Sequence, residues 1–247
     1  MKKRKAGIVI FVIVLIITAV RIKSMDSHRI SGRILAENIA GPGMLRLVEQ
    51  SMQARARKTS VTEIAVKERK HPQAALTFDD GPDIRYTPLL LDGLKERNVR
   101  VSFFLLGEKV EQYPELVERM QKEGHLVGNH TYHHVQLNKL NETKAREEIL
   151  KTNNLIYETT GVYPLYLRPP FGAWKKNLEL CVEMLPVFWT IDTLDWKVQN
   201  TEKIVRTVQE QIEDGAIILM HDEYDTSVEA ALQVVDELKN QGYELVT

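Results

Sequence analysis

Residues 74–106 read AALTFDDGPDIRYTPLLLDGLKERNVRVSFFLL, and this stretch decides the fold class. Apolar, β-rich runs at 74–79 and 101–106 flank a segment at about 87–97 whose pattern is helical. A strand, a helix and a second strand of these lengths predict a parallel pair of strands joined by a right-handed crossover. The stretch therefore predicts an α/β protein.

The same alternation continues to the end of the chain. Further strands are predicted at 125–128, 165–168, 186–192, 215–220 and 243–246, and further helices at about 109–123, 141–159, 174–184, 201–213 and 227–241. Seven such units are too few and too tightly spaced for a standard eight-fold barrel. We expect an incomplete (β/α) barrel of about seven parallel strands, with an open doubly wound sheet as the alternative.

Composition excludes several classes of protein. The 247 residues are 43% hydrophobic and 27% charged, which is typical of a folded chain, and the single cysteine, Cys181, cannot form an internal disulfide. Residues 72–247 contain 18 Lys and Arg against 29 Asp and Glu. This acidic balance argues against nucleic-acid binding, and the absence of a G-x-G-x-x-G or Walker loop argues against a nucleotide cofactor.

The N-terminal part is basic instead, with 15 Lys and Arg against 5 Asp and Glu in residues 1–71. Four basic residues precede the uncharged run AGIVIFVIVLIITAV at 6–20, which is typical of an export signal. No small-residue cleavage site follows, so we expect residues 1–23 to be an uncleaved single-pass membrane anchor, and secretion after cleavage is the alternative. Residues 24–71 are then a juxtamembrane stalk, and residues 72–247 are an extracytoplasmic catalytic domain.

Ionisable residues follow the predicted strands at their carboxyl ends. In parallel architectures, active sites assemble at this edge of the sheet. Five segments contribute: Asp79-Asp80, His130, Arg168, Asp192 with Asp195, and His221-Asp222. If the sheet is parallel, these side chains meet at one rim.

His130 and His134 are four residues apart, which is one turn of a helix and would let both imidazoles face one point. Two neutral imidazoles and a carboxylate form a common catalytic zinc site. His133 lies between them and is expected to point elsewhere, as a surface or packing histidine. The pair therefore predicts a metal site, provided that a carboxylate lies nearby.

The adjacent carboxylates of Asp79 and Asp80 repel each other unless a positive charge intervenes. A metal ion would supply it, with one Asp binding the ion and the other accepting a proton from water. An ordinary Asp-Asp-Gly-Pro turn is the alternative. Arg168 could pair with Asp79 and keep its carboxylate ionised. His221, at the end of an apolar strand, could act as an acid or base oriented by Asp195.

These residues lie in five motifs that follow one another along the chain: TFDDGP (77–82), HTYHH (130–134), RPPFG (168–172), DTLDW (192–196) and LMHD (219–222). The set resembles the signature motifs of the polysaccharide deacetylases, the NodB-like carbohydrate esterases of family four, over about residues 72–247. The resemblance implies a distorted (β/α) barrel. It also implies metal-dependent hydrolysis of an acetamido or acetyl ester group on a sugar polymer, usually with zinc.

The resemblance further implies a role for each matched residue. The implied catalytic roles are general base for Asp79, general acid for His221, orientation of Asp79 by Arg168 and orientation of His221 by Asp195. The implied metal ligands are Asp80, His130 and His134, with Zn²⁺ as the expected ion and Co²⁺ or another divalent ion as alternatives. The implied substrate contacts are Phe171, through its backbone N–H, and Trp196 and Leu219, which would line a pocket for the acetyl methyl group. Phe171 stands where the family usually has tyrosine.

An envelope anchor makes peptidoglycan the expected substrate, with removal of N-acetyl groups from its amino sugars. A chitin-oligomer deacetylase or an acetylxylan esterase would need the same catalytic set. Two further alternatives are a glycan-binding module without activity and a glycoside hydrolase that uses a carboxylate pair.

Overall fold

A computed structural model describes residues 70–174 and 184–247 of the chain. The predicted anchor at 1–23, nearly all of the predicted stalk at 24–71 and nearly all of the predicted helix at 174–184 lie outside these residues. Among the helices that are described, none is both long enough and apolar enough to span a bilayer. Residues 70–247 form one compact unit.

The described strands form a single, wholly parallel sheet. They are β1 (Gln73–Asp79), β2 (Ser102–Leu105), β3 (Leu126–Asn129), β4 (Tyr166–Leu167), β5 (Leu185–Pro186), β6 (Ile191–Asp192), β7 (Ala216–His221) and β8 (Glu244–Val246). Their order in the sheet is β5-β4-β3-β2-β1-β7-β6, and β8 pairs with the first residues of β1. The predicted parallel pairing is confirmed.

Helices connect the strands as the alternation predicts. They are α1 (Tyr86–Glu96), α2 (Gly107–Gln112), α3 (Pro114–Lys122), α4 (Glu142–Thr160), α5 (Asp195–Val198), α6 (Thr201–Gln211) and α7 (Asp225–Asn240), with 3₁₀ turns at Leu137–Lys139 and Pro170–Gly172. The predicted single helix at 109–123 is wrong, because Pro114 begins a second helix after Tyr113. Proline has no N–H to continue a helix and restricts the residue before it.

The sheet is curled rather than flat, because the connection between β5 and β6 is too short to cross a flat sheet. These two strands lie at opposite ends of the strand order, yet only residues 187–190 separate them. Seven strands laid flat would span about 29 Å at the usual spacing, whereas four residues reach at most about 18 Å between the flanking strands. The predicted incomplete barrel is therefore confirmed over the open sheet.

The prediction of one strand at 186–192 is wrong for the same reason. The Val187 N–H donates to the Leu167 carbonyl of β4 at 2.8 Å, and the Thr190 N–H donates to the Ile217 carbonyl of β7 at 2.9 Å. The segment thus leaves one edge of the sheet and joins the other within three residues. Two strands of two residues each replace the predicted long one.

One large apolar cluster lies between the sheet and the helices. Alternate residues of β1 point into it, including Leu76 and Phe78, which are fully buried. The buried face of α7 repeats at helical spacing, with Val228, Ala231 and Val235 packed into the same cluster. This packing holds the strands parallel and brings their carboxyl ends to one rim.

Candidate active site

The ionisable residues predicted to meet at the carboxyl ends of the strands do lie there. Asp79 ends β1 and His221 ends β7, and these two residues are register partners in neighbouring strands. His130 follows the last residue of β3, and Arg168 follows the last residue of β4. Asp195 begins α5, shortly after the end of β6. The fold therefore brings all five segments to one rim.

Asp80, His130 and His134 offer three ligand atoms that lie within 4.8 Å of one another. The Oδ1 atom of Asp80 is 3.4 Å from the Nε2 atoms of both histidines. These distances are long for hydrogen bonds, but ligands held at about 2.1 Å around a tetrahedral zinc ion lie about 3.4 Å apart. The three side chains thus have the composition and spacing of a metal site.

The missing hydrogen-bond partner of the Asp80 carboxylate is a second indication of a metal site. Its Oδ1 atom is buried and has no hydrogen-bond partner among the described residues. A buried carboxylate oxygen without a partner is costly, and a divalent cation bound to it would remove that cost. The backbone of Asp80 has a φ of 70°, a conformation that side chains adopt at a cost.

His130 is held as a neutral ligand with a defined tautomer. Its Nδ1 atom lies 2.6 Å from the Arg168 carbonyl oxygen, which can only accept, so Nδ1 carries the proton. Burial lowers the pKa of His130 to about 3, more than the nearby Asp80 carboxylate raises it. The Nε2 lone pair therefore faces Asp80, as metal ligation requires.

His130 and His134 do face one point, as predicted, but the predicted cause, one turn of a helix between them, is wrong. Residues 130–134 form a loop rather than a helical turn. Thr131 and His134 have φ values of 66° and 55°, and these left-handed residues turn both imidazoles toward Asp80. His133 points away, as predicted, with its exposed ring 2.8 Å from Glu148.

Asp79 lies beside this trio and is paired with a buried arginine. Arg168 is fully buried, and its Nη1 atom donates to the Asp79 Oδ1 atom at 2.8 Å and to the Thr77 hydroxyl at 2.7 Å. Burial raises the pKa of Asp79, and the Arg168 charge offsets only part of that effect. A carboxylate with a raised pKa is a stronger base than an exposed aspartate. The other Asp79 oxygen, Oδ2, is 3.7 Å from His130.

His221 is oriented by Asp195. The His221 Nδ1 atom is 2.8 Å from Asp195 Oδ1, and the His221 backbone N–H donates to Asp195 Oδ2 at 2.8 Å. Burial alone would lower the pKa of His221, but the hydrogen bond and charge of Asp195, with Asp80 and Asp79 nearby, raise it to about 9. The His221 Nε2 atom faces the trio of Asp80, His130 and His134 and lies 3.8 Å from Asp80 Oδ2. The raised pKa favours the protonated form of the ring.

The three predicted substrate contacts differ in exposure and in their place in the fold. Phe171 has a φ of 60°, and its largely exposed ring lies 4.5 Å from the His134 ring. Trp196 is half-exposed in α5, directly after Asp195, and Leu219 is buried in β7, two residues before His221. Of these three side chains, Phe171 directly contacts a residue of the Asp80, His130 and His134 trio.

Two further buried polar residues lie beside the site, and the sequence assigned neither of them a role. Thr77 donates to the Ile218 carbonyl and accepts from Arg168, so it fixes the guanidinium. Asp222 is fully buried and accepts from the Thr87 hydroxyl, and a Cβ atom at Gly81 would lie 2.4 Å from its carboxylate. Burial raises the pKa of Asp222 to about 7. Asp222 was among the ionisable residues expected at the rim, and Thr77 is the first residue of the TFDDGP motif, but only the structure shows what each of them contacts.

The fold and the site together define a class of protein: a curled α/β half-barrel with an Asp-His-His trio at its carboxyl rim. The sequence model of the polysaccharide deacetylase family matches residues 66–187. The structure of the peptidoglycan deacetylase PdaC from Bacillus subtilis superimposes with a TM-score of 0.70 at 41% identity, over 72% of this chain and 88% of that one. The chain belongs to the polysaccharide deacetylase family, as its motifs predict.

Two other relatives show the range of this family. The peptidoglycan-N-acetylglucosamine deacetylase PgdA of Listeria monocytogenes is 41% identical over 181 residues, which are 73% of this chain and 39% of that protein. The chain thus spans about two fifths of the length of that relative. A Bacillus anthracis structure described as a pseudoenzyme of carbohydrate esterase family four has a TM-score of 0.67 and 29% identity, over 71% of this chain and 63% of that one. Membership of the family therefore does not by itself establish activity.

Proposed function

We propose that the protein removes N-acetyl groups from amino sugars of peptidoglycan. The observation that carries this proposal is that Asp79 and His221 both lie beside the trio of Asp80, His130 and His134. Arg168 orients Asp79, and Asp195 orients His221. A catalytic base and a catalytic acid of this kind are what amide hydrolysis needs. Relatives that act on peptidoglycan support the choice of substrate.

Asp80, His130 and His134 would hold the metal ion, and the nitrogen and oxygen ligands suit Zn²⁺, with Co²⁺ or another divalent ion as alternatives. When bound, such an ion lowers the pKa of water and polarises a carbonyl oxygen. It would also satisfy the orphaned Oδ1 atom of Asp80.

The chain's own residues perform the proton transfers. Asp79 accepts a proton from the water molecule that attacks the acetyl carbon, while Arg168 holds the carboxylate in place. His221 donates its Nε2 proton to the sugar nitrogen as the C–N bond breaks, and Asp195 stabilises the imidazolium. The products are acetate and a free amine on the sugar.

The remaining residues bind the reacting group. The backbone N–H of Phe171 donates to the oxyanion of the tetrahedral intermediate, an interaction whose loss typically costs about 10²–10³ in rate. Trp196 and Leu219 line the pocket for the acetyl methyl group. We also propose that residues 1–23 anchor the protein in the membrane, with the catalytic domain on the outer side next to its substrate.

The rival functions predict different products. A chitin-oligomer deacetylase or an acetylxylan esterase shares the catalytic set and differs in the preferred substrate. An inactive glycan-binding module is disfavoured because each implied catalytic residue is present in the described chain. A glycoside hydrolase has no use for the His130 and His134 pair.

Acetate release from peptidoglycan, chitin oligomers and acetylated xylan, measured side by side with the purified protein, tests the proposal. We expect the highest kcat/KM on peptidoglycan, and mass spectrometry of the glycan fragments should show loss of acetyl groups without chain cleavage. A chelator should stop the reaction, and added Zn²⁺ should restore it. Full activity of metal-stripped protein, or cleaved glycan without acetate, would contradict the proposal.

A further inference from the structure

We propose that Glu148 is a positioning residue for the metal site: its carboxylate fixes the loop at 130–134, here called the histidine loop, so that both imidazoles face Asp80. This inference rests on the metal site of the proposed function. Glu148 lies on α4, outside all five motifs of the family.

The carboxylate of Glu148 bonds the middle of the histidine loop at three points. Its Oε2 atom accepts from the backbone N–H groups of Tyr132 at 3.1 Å and His133 at 2.9 Å. Its Oε1 atom lies 2.8 Å from the His133 Nδ1 atom. These contacts hold the residues that lie between the two proposed metal ligands.

Other partners also bond the backbone of the histidine loop. The Thr131 and Tyr132 carbonyls accept from the first N–H groups of α2, those of Gly107 at 2.9 Å and Glu108 at 3.3 Å. The Thr131 N–H donates to the Asn129 side chain at 2.7 Å. The backbone N–H and C=O groups of Thr131 and Tyr132 are thus all satisfied, and Glu148 accepts from two consecutive N–H groups of the histidine loop.

The histidine loop needs such support because its backbone is strained. Thr131 and His134 both have positive φ values, a conformation that is strained for residues other than glycine. Without Glu148, the two N–H groups could turn to water, and the loop could relax toward more common conformations. His134 would then lose its approach to Asp80.

The position of Glu148 on its helix is itself well fixed. The buried face of α4 includes Ala145, Ile149 and Thr152, which lie three, one and four residues from Glu148. The helix is capped by the Asn141 side chain, which accepts from the Lys144 N–H at 2.9 Å. The carboxylate therefore projects from a rigid element rather than from another loop.

The test is the Zn²⁺ affinity of the full chain, measured by competition with a chromogenic chelator. Glu148→Ala should weaken affinity by about 10–100-fold, as loss of such outer partners of metal ligands usually does. Glu148→Gln should retain near-normal affinity, because its amide oxygen can accept from both N–H groups. Glu147→Ala is the matched control, since Glu147 is exposed on the same helix and should leave affinity unchanged.

A second readout separates positioning from a general loss of stability. With Co²⁺ bound, the visible absorption bands of Glu148→Ala should shift, because the ligand geometry changes, while those of Glu148→Gln should match the unaltered protein. If Glu148→Ala does not fold, Glu148→Asp replaces it, because its shorter side chain keeps the charge but cannot reach both N–H groups. Unchanged affinity in the folded Ala or Asp variant overturns the inference. An unaltered protein that binds no Zn²⁺ instead overturns the proposed function.

Discussion

Opposing effects act on the carboxylate of Asp79. Burial favours its protonated form, whereas the ion pair with Arg168 favours the ionised form. The guanidinium of Arg168 also lies 4.2 Å from the centre of the Phe104 ring, so it is held by an aromatic face as well as by the carboxylate. The proposed base is therefore buried, and the arginine favours its ionised form.

Asp79→Asn should lower kcat by at least about 10²–10⁴, the usual contribution of a general base. The amide keeps the shape of the side chain and leaves the three metal ligands in place, so metal content should be unchanged. Kinetics on peptidoglycan fragments and metal analysis of the same sample measure both. Asp83→Asn, which alters a carboxylate on the same loop that only bonds local N–H groups, should keep normal activity. Near-normal turnover by Asp79→Asn would show that another group is the base.

For individual residues, the sequence predicted which side chains meet but not the backbone conformations and hydrogen bonds that position them. The order of motifs and their places after strands were enough for Asp79, His130 and His221. The left-handed conformation of Thr131 was not predictable, because a β-branched residue rarely adopts a positive φ value. The partners that hold the loops come from other elements, and no local pattern indicates them.

His125 connects two strands at the opposite, amino end of the sheet. Its Nδ1 atom accepts from the Val101 N–H at 3.1 Å, just before β2, and β3 begins at the next residue. Its ring packs edge-on against Phe103, with 5.4 Å between ring centres. Burial lowers the pKa of His125 to about 4, although Glu123 acts in the opposite direction. The link between β2 and β3 therefore requires the neutral imidazole.

This link predicts a loss of stability in weak acid. In the unfolded chain His125 binds a proton near pH 6.5, but in the folded protein only near pH 4, so protonation favours unfolding as the pH falls between these values. The contribution of His125 to the free energy of unfolding should decrease by up to about 1.4 kcal/mol per pH unit in this window and level off below it. Urea unfolding of the metal-free protein across this range measures it.

His125→Asn is the matched variant, because its Oδ1 atom can take the place of Nδ1 and does not titrate. The difference in unfolding free energy between the two proteins should shrink or change sign as the pH falls from about 6.5 to 4. A difference that does not depend on pH would show that the buried imidazole is not neutral in the folded state.

The elements themselves were largely predictable, and the exceptions have physical causes. Strand positions at 74–79 and 215–220 agree closely with the structure because buried parallel strands read as apolar runs. The split of the predicted strand at 186–192 was not predictable, because it depends on which edges of the curled sheet lie near each other. That is a property of the closed shape, not of the segment.

For the whole molecule, the described core and every proposed site residue lie within residues 70–247, which form one compact unit. A fragment that begins at Lys70 should therefore fold cooperatively and deacetylate soluble glycan fragments with the kcat/KM of the full chain. Circular dichroism during heating and acetate release measure these properties, and the same fragment with Asp79→Asn is the inactive control. An unfolded fragment, or one much less active than the full chain, would show that residues 1–69 contribute to the fold or the site.

The two edge strands of the sheet, β5 and β6, affect whether separate copies of the protein can associate through their sheets. Both β5 and β6 are only two residues long, and Pro186 in β5 has no N–H to donate. Long, flat edge strands are where sheets of separate molecules fuse, and very short edges with proline prevent this. Strand addition between neighbours has almost no template at either end of this sheet, so the half-open barrel can stay dispersed at high local concentration.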